Sequence, residues 1–218
     1  MKKITTAMVA IGATVSLGLL TAAAVNAGNG NGMNGNGMRG NGAQSAGQMQ
    51  GTGVRANGMQ GNGMMDHSAI TYGTTATDAE TATLLHMVEE EKLAHDVYIA
   101  LADETGLRIF DRIAASEAKH TDVVRALLEA RGIDDPTAGN AAGEFTDPAF
   151  DALYTDLVEQ GSASVDAALQ VGVQIEELDI ADLKDAIAES GQADIDTVYG
   201  NLLTASGHHL TAFENQLS

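Results

Sequence analysis

Apolar side chains begin to recur at alternating steps of three and four only after Gly73, and the pattern then runs to the end of the chain. That spacing marks helices laying one face on a core. Thr77-Asp78-Ala79-Glu80 has the form of a capping box and opens a first helix that reaches about Glu104, with Gly106 as its stop. A second helix is predicted from about Leu107 to Arg131, ended by Gly132. The stretch GIDDPTAGNAAGEFTDP reads as a loop. Within it Asp147-Pro148 opens a short helix, with Pro at the first position, that closes near Gly161. A third long helix follows from Ser164 to about Glu189 and, past Ser190-Gly191, a fourth from about Asp194 to Gln216. No period-two alternation persists. The expectation is an all-α domain over residues 74–218: a four-helix bundle whose long second-to-third crossover holds a short extra helix.

The core-facing rows can be read off directly. They are Leu84, Met87, Glu91, Ala94, Tyr98, Leu101 in the first long helix and Phe110, Ile113, Glu117, His120, Val124, Leu127 in the second. In the third the row is Val165, Ala168, Gly172, Glu176, Asp179, Leu183, and in the fourth it is Ile195, Tyr199, Leu202, Ser206, His209, Phe213. Every row is broken near its middle by groups able to bind a metal. Glu117 and His120 are an i, i+3 pair, so both heads leave one face about a turn apart. Glu-x-x-His on one helix with single Glu residues on its neighbours is the pattern of carboxylate-bridged two-metal sites in bundles.

Energetics sharpen the reading. An ionised carboxylate in a dry core costs several kcal/mol even after relaxation, and a domain is stable by only about 5–15 kcal/mol. The rows contain no Lys or Arg. Two divalent cations would balance Glu91, Glu117, Glu176 and Asp179. The alternative is a metal-free core in which protonated carboxyls bond to His, which requires strongly raised carboxyl pKa values. Outside the rows, the rest of the Glu89-Glu90-Glu91 run is expected on a solvated face. Glu177 points about 100° away from Glu176. His86, His95 and His208 are expected to face solvent.

The N-terminal third changes the picture without adding to the bundle. Residues 1–27 carry Lys2 and Lys3, an apolar run and Val25-Asn26-Ala27, the layout of a cleaved secretory signal peptide. The expectation is an exported protein, periplasmic or secreted, with no stable membrane insertion after cleavage. Residues 28–73 are a Gly/Asn/Met-rich flexible tether in which Asn-Gly-Met recurs at 31–33, 36–38, 57–59 and 62–64. Its methionines Met33, Met38, Met49, Met59, Met64 and Met65, with His67, are soft ligands suited to copper as Cu(I). Cysteine is absent, which removes disulfides and thiolate ligands. From Asp78 onward 29 acidic residues face 7 basic ones, a formal charge of −22. That field repels nucleic acid and anionic lipid and concentrates cations.

Four stretches, EEKLAHDVY, FDRIAASEAKHTDVVRALLE, ALQVGVQIEELDIADL and VYGNLLTASGHHLTAF, carry a resemblance across residues 78–218. The chain resembles the domain of unknown function 2202 family within the ferritin-like superfamily, and its Glu91-x-x-Ala94-x-x-x-Tyr98 and Glu117-x-x-His120 are similar to rubrerythrin-type motifs. The resemblance implies a ferritin-like bundle with a di-iron, or di-manganese, site of ferroxidase, oxidase or peroxidase type. By position it implies Glu91, Glu117, His120, Glu176 and His209 as ligands, with Asp179 as an extra carboxylate and Glu117 bridging. The departure is on the fourth helix. Relatives with full sites have Glu-x-x-His there, whereas this chain has Ser206-Gly207-His208-His209. Two functions follow: a metal-dependent oxidoreductase acting with dioxygen or peroxide, or a non-catalytic module holding a single divalent metal. No catalytic residue is assigned. Partners of either are metal ions and, as an oligomer, a second copy in a homodimer.

Overall fold

Thr77 starts the bundle as the capping pattern predicts: its hydroxyl accepts from the Glu80 amide at 3.1 Å, and the Glu80 carboxylate accepts from the Thr77 amide at 2.8 Å. This computed structural model describes residues 70–218. The expected signal peptide, most of the tether and the methionine-rich copper candidate lie outside the described residues. The helices are α1 (Asp78–Thr105), α2 (Arg108–Ala130), α3 (Pro148–Gly161), α4 (Val165–Glu189) and α5 (Ala193–Leu217), and the described residues contain no strand.

Local chemistry sets the boundaries. Gly106 ends α1 in the left-handed conformation at φ 69°, where a side chain would be strained. Asp147 and Ser164 cap α3 and α4 by accepting from the amides of Ala149 and Ala167, and Pro148 takes the first position of α3. Two-residue and three-residue connections fold α1 on α2 and α4 on α5 as hairpins. The hairpins then pack side by side, α1 against α4 and α2 against α5, while α3, held in the crossover, lies on α1 and α4.

The core is two apolar clusters rather than one. The first gathers Leu93, Val97, Tyr98, Leu101, Phe110, Ile113, Leu169, Ile175 and Phe213. The second gathers Leu84, Met87, Val88, Val124, Leu127, Leu183, Tyr199 and Leu202. Between them, at mid-depth, lie Glu91, Glu117, His120, Glu176 and Asp179, all buried. Gly172 matters to the first cluster: a Cβ there would stand 2.7 Å from the Phe213 ring, so the glycine lets α5 close on α4.

Of the predicted core rows only Val165 is misplaced, at 46% exposure. It is the first residue of α4 and is flanked by the exposed run 162–166, so nothing packs over it. The expectation that the rest of the Glu89-Glu90-Glu91 run is solvated also fails, since all three are buried. Residues 70–73, assigned to the tether, lie against the bundle: Ile70 and Tyr72 pack on the second cluster, and the Gly73 amide donates to Asp194 at 2.8 Å.

Candidate metal centre

Three helical faces and one from α5 bring the predicted residues together. Glu91 comes from α1, Glu117 and His120 from α2, Glu176 and Asp179 from α4, and His209 from α5. Nδ1 of His120 lies 2.6 Å from Glu117 Oε2 and 3.2 Å from Glu91 Oε2. Nδ1 of His209 lies 2.7 Å from Glu117 Oε1 and 3.6 Å from Glu176 Oε2. Two sets of three ligand atoms result, Glu91–Glu117–His120 and Glu117–Glu176–His209, each within 4.8 Å of one another. Glu117 belongs to both, one oxygen turned to each imidazole.

Much of this proximity is not hydrogen bonding. Glu91 Oε1, Glu117 Oε1, His120 Nε2, Asp179 Oδ1 and His209 Nδ1 are buried without a hydrogen-bond partner. Buried polar atoms are rarely left so. Carboxylate and imidazole atoms gathered this closely, several of them unpartnered, have the composition and spacing of a divalent-cation site. The residues therefore fit a metal.

The electrostatics describe the cluster without an ion, where protons take the place a cation would fill. Burial pushes Glu91 and Glu176 up to about 7. Burial, the Glu91 charge and neighbouring carboxylates push Asp179 well up, against the opposing effect of the nearby Ser206 hydroxyl. Burial opposes the ionised form of Glu117, but the His120 and His209 imidazoles outweigh it and hold Glu117 well below the usual range. In turn Glu117 and Glu176 raise His209 to about 10 against its desolvation, and Glu117 and Glu91 raise His120. Without an ion, the two imidazoles thus favour the ionised form of Glu117, while burial favours the protonated form of the other carboxyls.

The surrounding residues position the cluster. Tyr98 donates to Glu176 Oε1 at 2.7 Å, so its hydroxyl is both satisfied and attached to the site. Ser206 is fully buried and donates to the Leu202 carbonyl at 2.9 Å. Glu177 and His208 are exposed, as expected. His95 is bonded to Asp96 at 2.8 Å and stands outside both groups.

The row pattern passed over Glu90, His86 and Asp182. Glu90 is 3% exposed, and its carboxyl is pushed well up by burial and by Asp179, Asp182 and Glu91. The signal for it was present in His86-x-x-x-Glu90, an i, i+4 pair on one face of α1.

The family profile described as "Uncharacterized protein domain (DUF2202)" matches residues 80–218. The uncharacterized protein MJ0754 of Methanocaldococcus jannaschii is 45% identical over 142 residues, which are 65% of this chain and 77% of that relative. A crystal structure of hypothetical protein MJ0754 from Methanococcus jannaschii is similar at a TM-score of 0.66 and 44% identity, covering 67% of this chain and 84% of that one.

Proposed function

This chain belongs to the DUF2202 family, and we propose that it is an exported metal-binding protein whose mid-depth carboxylates and imidazoles hold two divalent ions, iron or manganese, for oxidation chemistry. The observation that carries the reading is Glu117, shared between two three-residue groups with an imidazole beside each of its oxygens. Glu91 and His120 would complete one position, Glu176 and His209 the other. Iron bound there would supply one-electron redox chemistry toward dioxygen or peroxide, with Fe(II) itself as one candidate substrate.

The chain's own residues prepare the place for it. Tyr98 fixes the orientation of Glu176 through its hydrogen bond. The two apolar clusters flank the cluster and keep the site dry, which strengthens every charge interaction inside it. Asp179 offers a further carboxylate from α4, beside Ser206 at the α5 position where the ferritin-like pattern has Glu. That substitution also favours a second reading, a module that binds one metal without turnover.

Elemental analysis of protein recovered from its own periplasm or medium, paired with Fe(II) oxidation assays, separates the two. About two tightly held ions per chain, oxidation faster than buffer alone and loss of both in Glu117→Ala support the redox centre. One ion without turnover supports the binding module. Equal oxidation rates for wild type and Glu117→Ala remove the redox reading.

A further inference from the structure

One other group of side chains is assembled as a ligand set among the described residues. His86 and Glu90 share a face of α1, and Asp182 reaches them from α4. His86 Nε2 lies 3.7 Å from Glu90 Oε2 and 3.6 Å from Asp182 Oδ2, and the three ligand atoms all lie within 4.8 Å of one another. The Phe150 ring of α3 braces the imidazole at 5.1 Å between centroids.

Acidic residues beside a histidine are common on protein surfaces, but Glu90 is not a surface residue. It is 3% exposed, and neither of its oxygens finds a hydrogen-bond donor. Among the described residues its one basic neighbour within ion-pair distance is His86. A dry carboxylate without a donor, set beside an imidazole and a second carboxylate, is an arrangement that a cation completes. The His86 and Asp182 side chains are 48% and 28% exposed, so the open side of the group faces water.

We propose that His86, Glu90 and Asp182 form a third metal site, open to solvent, that takes up a divalent transition ion and loads the buried centre. The loading role rests on the proposed function above; the site itself does not. One imidazole and two carboxylates with free positions for water suit Fe(II), Mn(II) or Co(II). Partial exposure makes the ion exchangeable, as a loading position requires. The way inward is carboxylate throughout: Glu90 is followed by Glu91, and Asp179, one turn before Asp182 on α4, is close to both. Asp179 Oδ1 is itself buried without a partner.

The test uses the full chain, metal-free, with Co(II) as the probe. Calorimetric titration counts sites, Co(II) anomalous scattering from crystals locates them, and stopped-flow absorbance follows filling of the buried centre. Wild type should bind one weaker equivalent beyond the buried ions, with scattering at His86. His86→Ala/Asp182→Asn should lose that equivalent alone and fill the centre about tenfold more slowly. Glu90→Gln, which keeps the shape of the side chain, should weaken the same equivalent. Glu117→Gln should lose the buried ions and keep the outer one. Unchanged stoichiometry and filling rate in His86→Ala/Asp182→Asn would overturn the proposal and leave the centre standing. An outer ion in wild type with none buried would support the site and overturn the proposed function.

Discussion

Glu91 and Asp96 are buried carboxylates little more than a turn apart on α1, and the protein treats them in opposite ways. Asp96 is ion-paired with the buried Lys92 ammonium and accepts from His95 at 2.8 Å and from the Gly143 amide at 3.0 Å. Burial alone would raise its pKa, but the bonds from His95, Lys92 and Gly143 hold it below the ordinary value. Glu91 has a single bond at 3.2 Å to His120, one oxygen with no partner and a pKa pushed by burial up to about 7. This chain can supply its own cations to buried acids, and does so again where Arg131 meets Asp194 at 2.8 Å. At mid-depth it supplies only imidazoles. The contrast separates carboxylates that serve the fold from carboxylates placed to meet an ion from outside.

The largest expected effect breaks the satisfied side of that contrast. Lys92→Met leaves Asp96 charged without its ammonium and should cost about 3–5 kcal/mol in urea unfolding. Glu91→Gln should leave the metal-free protein as stable as wild type or more so, because it removes a charge that burial disfavours. Equal losses for the two variants would erase the distinction.

Next comes metal itself. Mn(II) at about a hundred times its Kd should stabilise wild type by about 2.7 kcal/mol for each site filled, and a chelator should reverse it. The share of the increment that comes from the buried sites should survive in Lys92→Met and vanish in Glu117→Ala, read as the shift in urea midpoint.

A smaller, graded effect is expected with pH. Glu91 and Glu176 keep protons in the folded state up to about 7 that the unfolded chain releases in the ordinary carboxylate range. Metal-free stability should therefore fall as pH rises through that window. His209, raised to about 10, adds stability that is complete below the ordinary histidine range and is lost as pH rises through about 10. Glu117, held low, adds stability that is lost only in strong acid. Metal should flatten or reverse the acid-side slope, since ions replace those protons. Melting temperatures of metal-free and loaded protein across the range check the sign. The smallest effect belongs to His208→Ala: the residue is exposed, so metal count should not change and stability should move by less than about 0.5 kcal/mol.

Helix number, order and limits were legible because caps and stops are local chemistry: Thr77, Gly106, Asp147-Pro148 and Ser164 act with partners a few residues away. The rows through Glu91, Glu117, His120 and Glu176 were legible because a helix facing a core has one phase. The fate of Glu89 and Glu90 was not. Helical phase predicts one buried face, but α1 is covered on a second face by α3 and the crossover, so residues 87–94 are all buried. Glu89 is satisfied by the Thr146 and Asp147 amides, partners more than fifty residues away that no periodicity foretells. Asp182 was missed for a related reason, since its register against His86 is set by how α4 slides along α1.

The crossover before α3 has little regular structure, yet α1 dictates its path. Lys92 donates to the Ala141 carbonyl at 2.9 Å, Asp96 holds the Gly143 amide, and Glu89 holds the amides that begin α3. A peptide tag or a new chain break placed at residues 141–146 would strand three buried charges on α1, so this long connection is a poor insertion point despite its length. The short joint at Ser162–Ala163 is exposed, and its amides bond only to carbonyls at the end of α3. Grafts and fusions should be tolerated there, and comparing soluble yield for the two insertions would show it.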